Sequence, residues 1–146
     1  MDILYKTTQE LLQNLTSINS IEVLETYLKQ LETLHQFVSI SDYFNHIIQE
    51  RNIKKATIIN HSSLDRTYAY QILNGSKQAS RNKLLALCFA LPLSLKETQY
   101  ALTINGNNIL YAKNKRDALI IYAINTKQSL LDCNHQLYQN KLEIIE

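Results

Sequence analysis

A chain of 146 residues fits one domain, large enough to bury roughly 70% of the surface its unfolded form exposes. With only 2 glycines and 1 proline among many straight-chain residues, it predicts an all-helical fold. No apolar run approaches the roughly 20 residues needed to cross a bilayer, and the start MDILYKTTQELLQ has an acid in second place and no signal-peptide pattern, so a cytoplasmic protein without a membrane partner is expected.

The net charge of +2 hides a segregation along the chain. Residues 1–50 carry Lys6 and Lys29 against seven acids, a net of −5. Residues 51–83 carry Arg51, Lys54, Lys55, Arg66, Lys77, Arg81 and Lys83 against Asp65 alone, a net of +6. The remainder is close to neutral. A basic block of this size is the footprint that a polyanion selects.

The first two predicted elements are amphipathic helices, Thr7 to Leu15 and Ile21 to Leu34. In the second, Ile21, Leu24, Leu28, Leu31 and Leu34 recur at spacings of three and four, behind Ser20 as N-cap. Residues 1–40 are accordingly read as an acidic helical extension, and residues 41–146 as the main domain. Ser41 or Asp42 is expected to cap the third helix, Tyr43 to Arg51, whose core face is Tyr43, Phe44, Ile47 and Ile48. Lys55 to His61 follows as a short helix, then the turn Ser62-Ser63-Leu64. Asp65 stands where an N-cap belongs for the helix Arg66 to Asn74, which Asn74-Gly75 ends. Arg81 to Leu91 reads as an apolar helix closed by Pro92. Ser94 and Glu97 make a capping box for Leu95 to Ile104, and Asn105-Gly106-Asn107-Asn108 is a turn. The last helices are placed at Lys115 to Asn125 and Ser129 to Asn140.

The stretch Lys54 to Gly75, KKATIINHSSLDRTYAYQILNG, combines a short helix, a tight turn and a second helix with a polar side. On that second helix Thr67, Gln71 and Asn74 form one row and Arg66, Tyr70 and position 73 an adjacent one. Leu64, Ala69 and Ile72 point into the domain. Such a helix suits a DNA major groove. Arg66 has the bidentate geometry for guanine, Gln71 that for adenine, and the Thr67 methyl matches a thymine methyl. Tyr70 stands beside them as a fourth reading-face residue, its hydroxyl in reach of sugar or phosphate, while Tyr68 is expected to pack at the edge. Lys54, Lys55, Asn74, Ser76, Lys77 and Arg81 flank the reader as phosphate contacts.

The run LDRTYAYQILNG, followed by Ser80-Arg81 and LLALCFAL, resembles the helix-turn-helix of the phage-repressor class (Cro and repressor-like, often termed the XRE family). The likeness continues through Leu95-Lys96-Glu97-Thr98-Gln99 to Leu110-Tyr111 and Lys115-Arg116-Asp117-Ala118, which resembles a subgroup with a longer helical C-terminal part. It covers about Ser41 to Asn125. The resemblance implies a repressor-like five-helix core with additional N- and C-terminal helices, with base readers at Arg66, Thr67 and Gln71. It also implies double-stranded DNA as partner and binding as a two-fold homodimer. Three positions depart from the pattern: Lys55 stands where a phosphate-clamping glutamine is common, Ser63 where the turn usually has glycine, and Ala79 where proline often follows the recognition loop.

Enzyme chemistry finds little footing. His35, His46, His61 and His135 are scattered, Cys88 and Cys133 lack a metal-ligand spacing, and two glycines so far apart form no phosphate cradle. No cofactor or metal is expected. Cys88, inside LLALCFAL, is expected to pack as a small apolar residue, and a disulfide is not expected in a reducing compartment. The competing expectation is a protein-interaction adaptor or antirepressor on the same fold, with a protein partner at the acidic extension.

Overall fold

The computed structural model describes residues 3–146, the His35 side chain excepted. Asp2, the acid in second place, lies outside the described residues. The fold is all-α, with no strand among the described residues. The chain divides into two units between Val38 and Ser39, two residues before the expected boundary.

The first unit holds a 3-10 turn at Ile3–Tyr5, α1 (Thr8–Thr16), α2 (Ile21–Leu31) and a second 3-10 turn at Glu32–His35. Thr7 and Ser20 cap the two helices through their side-chain oxygens. The expected single helix to Leu34 tightens into the 3-10 turn after Leu31. Neither α1 nor α2 buries any side chain fully. Leu12, Leu15, Ile21, Val23 and Leu28 stay between 41% and 66% exposed, while Leu24, Leu31 and Leu34 are half-buried, so each helix leaves part of its apolar surface outward.

The second unit comprises α3 (Ile40–Glu50), α4 (Lys55–Ser62), α5 (Arg66–Asn74), α6 (Arg81–Ala90), α7 (Leu95–Ile104), α8 (Lys115–Asn125) and α9 (Leu130–Gln139). Helix starts are written in the sequence as caps: Ser39, Asp65, Ser80, Ser94, Asn114 and Ser129 each accept the amide three residues on. The Ser94–Glu97 capping box forms in full. The cap of α3 is Ser39, four residues ahead of the expected helix start at Tyr43. Ser41, read as a cap, is instead buried in the first turn, where its hydroxyl serves a neighbouring helix.

Helix α6 is the centre of the core. Every residue from Leu84 to Ala90 is buried, as an all-round apolar helix requires. Against it lie α4, which brings Ile58 and Ile59, together with α7 and α9. Helix α3 packs on α5 and α7. Tyr43 and Phe44 are fully enclosed, and the Tyr43 ring meets Tyr100 edge-on with centroids 4.9 Å apart. Full burial of each such side chain stabilises the fold by about 1.5–3 kcal/mol.

Amides and cations pin the connecting segments. The Gln99 side chain clasps Leu110, donating to its carbonyl at 2.9 Å and accepting its N–H at 2.7 Å. Asn134 clasps Ile145 in the same way near the C-terminus. Arg116 donates to the Glu143 carbonyl at 2.7 Å and to the Asn82 side chain at 2.9 Å.

Candidate nucleic-acid interface

Helices α4 and α5 are joined by three residues, Ser63 to Asp65. Ser62 belongs to α4 rather than to the turn. It is buried, its hydroxyl donating to the Ile59 carbonyl at 2.8 Å and accepting the Leu64 N–H at 3.2 Å. Ser63 then takes the left-handed conformation, φ 59° and ψ 13°, that glycine adopts more readily. Asp65 accepts the Tyr68 N–H at 3.1 Å and so starts α5.

The far end of α5 is fixed as firmly. Gly75 has φ 85°. The Leu73 carbonyl, one of the orphan acceptors at a helix C-terminus, receives the Ser41 hydroxyl at 2.8 Å and the Asn45 amide at 2.7 Å, both from α3. The loop beyond is tied down too: the Ser76 N–H donates to the Asn74 side chain, the Tyr68 hydroxyl to the Gln78 carbonyl, and the Asn105 amide to the Ala79 carbonyl. Ala79, where the family pattern often has proline, is buried. Tyr68 thus packs and bonds at the edge of the motif.

Helix α5 has two unlike sides. Ala69, Ile72 and Leu73 are buried beneath it. Arg66, Thr67 and Asn74 are exposed, with Tyr70 and Gln71 half-buried between them. Position 73, expected in the outer row, is buried, and Leu64, expected inside, is only half so. The burial of Leu73 follows from the approach of α3, which covers the last turn of α5.

The cations separate into two groups. Arg51 pairs with Glu97, and Arg81 is held inside the fold. The Arg81 guanidinium donates to both oxygens of the buried Asp117, at 3.1 and 3.3 Å, and to the carbonyls of Asn108 and Ile109. Expected to hold phosphate, it instead neutralises a buried carboxylate and fixes the loop after α7. Lys54, Lys55, Arg66, Lys77 and Lys83 enter no ion pair among the described residues, and the first four are exposed. Lys83, which the sequence reading counted only as charge, lies with its ammonium 6.0 Å from the centre of the Tyr68 ring, next to α5. Its signal was its place two residues inside the helix that follows the loop after α5.

Among the α-helices of the described residues, α4 alone lacks a side-chain cap, because Lys54 occupies the N-cap. The Lys55 and Ala56 amides, which receive no side-chain cap, and the positive dipole end therefore lie beside Lys54 and Lys55. Between α4 and α5 runs a cleft of about 310 Å³, walled by Ala56 and Asn60 on one side and by Arg66 and Tyr70 on the other, with Ser63 and Leu64 at the turn. The Arg66 guanidinium carbon stands 5.7 Å from the centre of the Tyr70 ring.

Both cysteines are free and buried. Burial pushes the Cys133 thiol up to about 11 against the lowering influence of Arg116, and drives the Cys88 thiol higher still. No group of three or more His, Cys, Asp or Glu residues suited to a metal ion occurs among the described residues. No protein-family model, curated protein or solved structure matches the chain.

Proposed function

We propose that the protein is a sequence-specific DNA-binding transcriptional regulator of the phage-repressor (XRE-like) type that lays α5 in the major groove. The observation that carries this reading is the two-sided build of α5. An apolar underside and bonded ends hold it rigidly, while Arg66 and Thr67 stand outward with the half-buried Gln71 beside them. Arg66, Lys54, Lys55, Lys77 and Lys83 enter no ion pair among the described residues. Rigid presentation lowers the entropy that each base contact must overcome.

In this reading Arg66 and Gln71 supply bidentate contacts to base edges and the Thr67 methyl supplies apolar contact. Lys54, Lys55 and the uncapped amides of α4 hold one phosphate strand, and Lys77 and Lys83 hold the other side of the groove. These contacts set position and affinity without sequence information. A homodimer would place two α5 helices about 34 Å apart, one turn of the duplex.

The division of labour is testable by comparing Lys77→Ala with Gln71→Ala on a cognate duplex and on its single-base variants. Lys77→Ala is expected to weaken binding to all duplexes alike and to reduce the salt slope by about one counterion. Gln71→Ala is expected to cost about 1–3 kcal/mol and to relax preference at one base pair. Equal effects of both changes on every duplex would contradict the reading.

A second reading, a protein-interaction adaptor, draws on the apolar surface that α1 and α2 leave outward. An adaptor's partner binding would survive Arg66→Ala and Gln71→Ala.

A further inference from the structure

Tyr70 was expected to touch DNA itself, yet its ring has another neighbour. Arg66 precedes it by one helical turn, and the two side chains meet with the guanidinium carbon 5.7 Å from the ring centre. Both also line the same cleft between α4 and α5, opposite Ala56 and Asn60. Tyr70 is half-buried, so its ring is partly immobilised by the protein, whereas Arg66 occupies the first position of α5 and is exposed. An exposed arginine ordinarily samples many rotamers, and ordering it opposes a base contact. A fixed aromatic face narrows that sampling, because a cation is attracted to the ring.

We infer that Tyr70 is a positioning residue for base readout: its ring holds the Arg66 guanidinium in the orientation that meets one base pair, and guanine is the base that a planar two-donor edge selects. This rests on the DNA-binding reading above and specifies which residue sets the preference at a single position. The ring, not the hydroxyl, does the positioning, so phenylalanine serves as well as tyrosine. Removal of the ring leaves the phosphate contacts untouched, since Lys54, Lys55 and Lys77 lie outside the stack.

The experiment starts from the duplex preferred by the intact protein. Arg66→Ala identifies the base pair whose discrimination depends on Arg66. Tyr70→Leu and Tyr70→Phe are then measured by fluorescence anisotropy on duplexes varied at that base pair and at a second one, together with a thermal melt of each variant. Tyr70→Leu is expected to reduce discrimination at the Arg66-dependent base pair by about two- to five-fold, the size of an exposed cation–π contact. Preference at the second base pair and the salt slope should stay as they were, and Tyr70→Phe should retain full discrimination. Unchanged discrimination in Tyr70→Leu would overturn the inference, as would a loss in Tyr70→Phe equal to that in Tyr70→Leu, which would assign the contact to the hydroxyl. A uniform loss on all duplexes would also overturn it by making Tyr70 structural. Absence of any preferred duplex for the intact protein would overturn the DNA-reading proposal itself, a result separate from these.

Discussion

Ser63 and Arg81 show how a single side chain can stand at a familiar position yet carry a different physical burden. Ser63 holds φ 59° in the turn between α4 and α5. A side chain there opposes the left-handed conformation, at a cost of about 1–2 kcal/mol. Ser63→Gly is therefore expected to raise stability by about 1 kcal/mol in a urea melt while leaving DNA affinity unchanged; a destabilised variant would show that the serine hydroxyl supports the turn. Both the position and its strain were legible from the resemblance, since glycine is usual there and a serine can take such a turn only at some strain. Arg81, by contrast, was misread. Charge is visible in a sequence, whereas the buried Asp117 that uses it lies 36 residues away. Removing Arg81 strands the buried Asp117 carboxylate, and because Arg81 is itself half-buried the cost lies below the ~3–5 kcal/mol of a fully buried pair. Arg81→Ala should thus lower the melting midpoint markedly, and its folded fraction should keep the parent salt slope. A normal midpoint with a shallower slope would restore Arg81 to the phosphate contacts.

At the scale of elements, caps and apolar periodicity made the helices readable. The extents of α5, α7 and α8 agree with expectation residue for residue, because Asp65, Ser94 and Lys115 follow or form clear boundaries and Gly75, Gly106 and Thr126 end them. Endings without a glycine were legible to within one residue, α3 and α9 stopping one residue before the expected Arg51 and Asn140. With two glycines in the chain, α3, α8 and α9 are followed by Asn52, Lys127 and Lys141 in left-handed conformation, at φ 53°, 58° and 59°. The compensation is a hydrogen bond wrapping each helix end, such as Gln128 N–H to the Ala123 carbonyl at 2.9 Å. Lys127→Gly should consequently stabilise the fold by about 0.5–1 kcal/mol, measured by thermal or urea melting. The outer face of α5 was legible from its polar spacing. Its inner face was read one residue short, because the cover that α3 gives Leu73 depends on Ser41 and Asn45, distant in sequence.

Over the whole molecule, charge is segregated between an acidic N-terminal part and a basic segment around α4 and α5, a division visible in the sequence alone. Pairing is not visible there: Arg51 and Arg81 drop out of the free set, leaving Lys54, Lys55, Arg66, Lys77 and Lys83. If the four lysines meet phosphates while Arg66 reads a base, log Kobs against log salt should fall with a slope of about −3.6 per bound chain. The burial of both thiols gives an independent check on the core. Raised well above neutrality, Cys88 and Cys133 stay protonated at pH 7, so alkylation of the folded protein should be slow and should become rapid only on unfolding. The most direct test of the central claim is selection of bound duplexes from a random pool at about physiological salt, with the Arg66→Ala/Gln71→Ala double variant alongside. An enriched motif is expected for the intact protein that the double variant fails to enrich; equal enrichment by both, or none by either, would contradict a sequence-specific regulator.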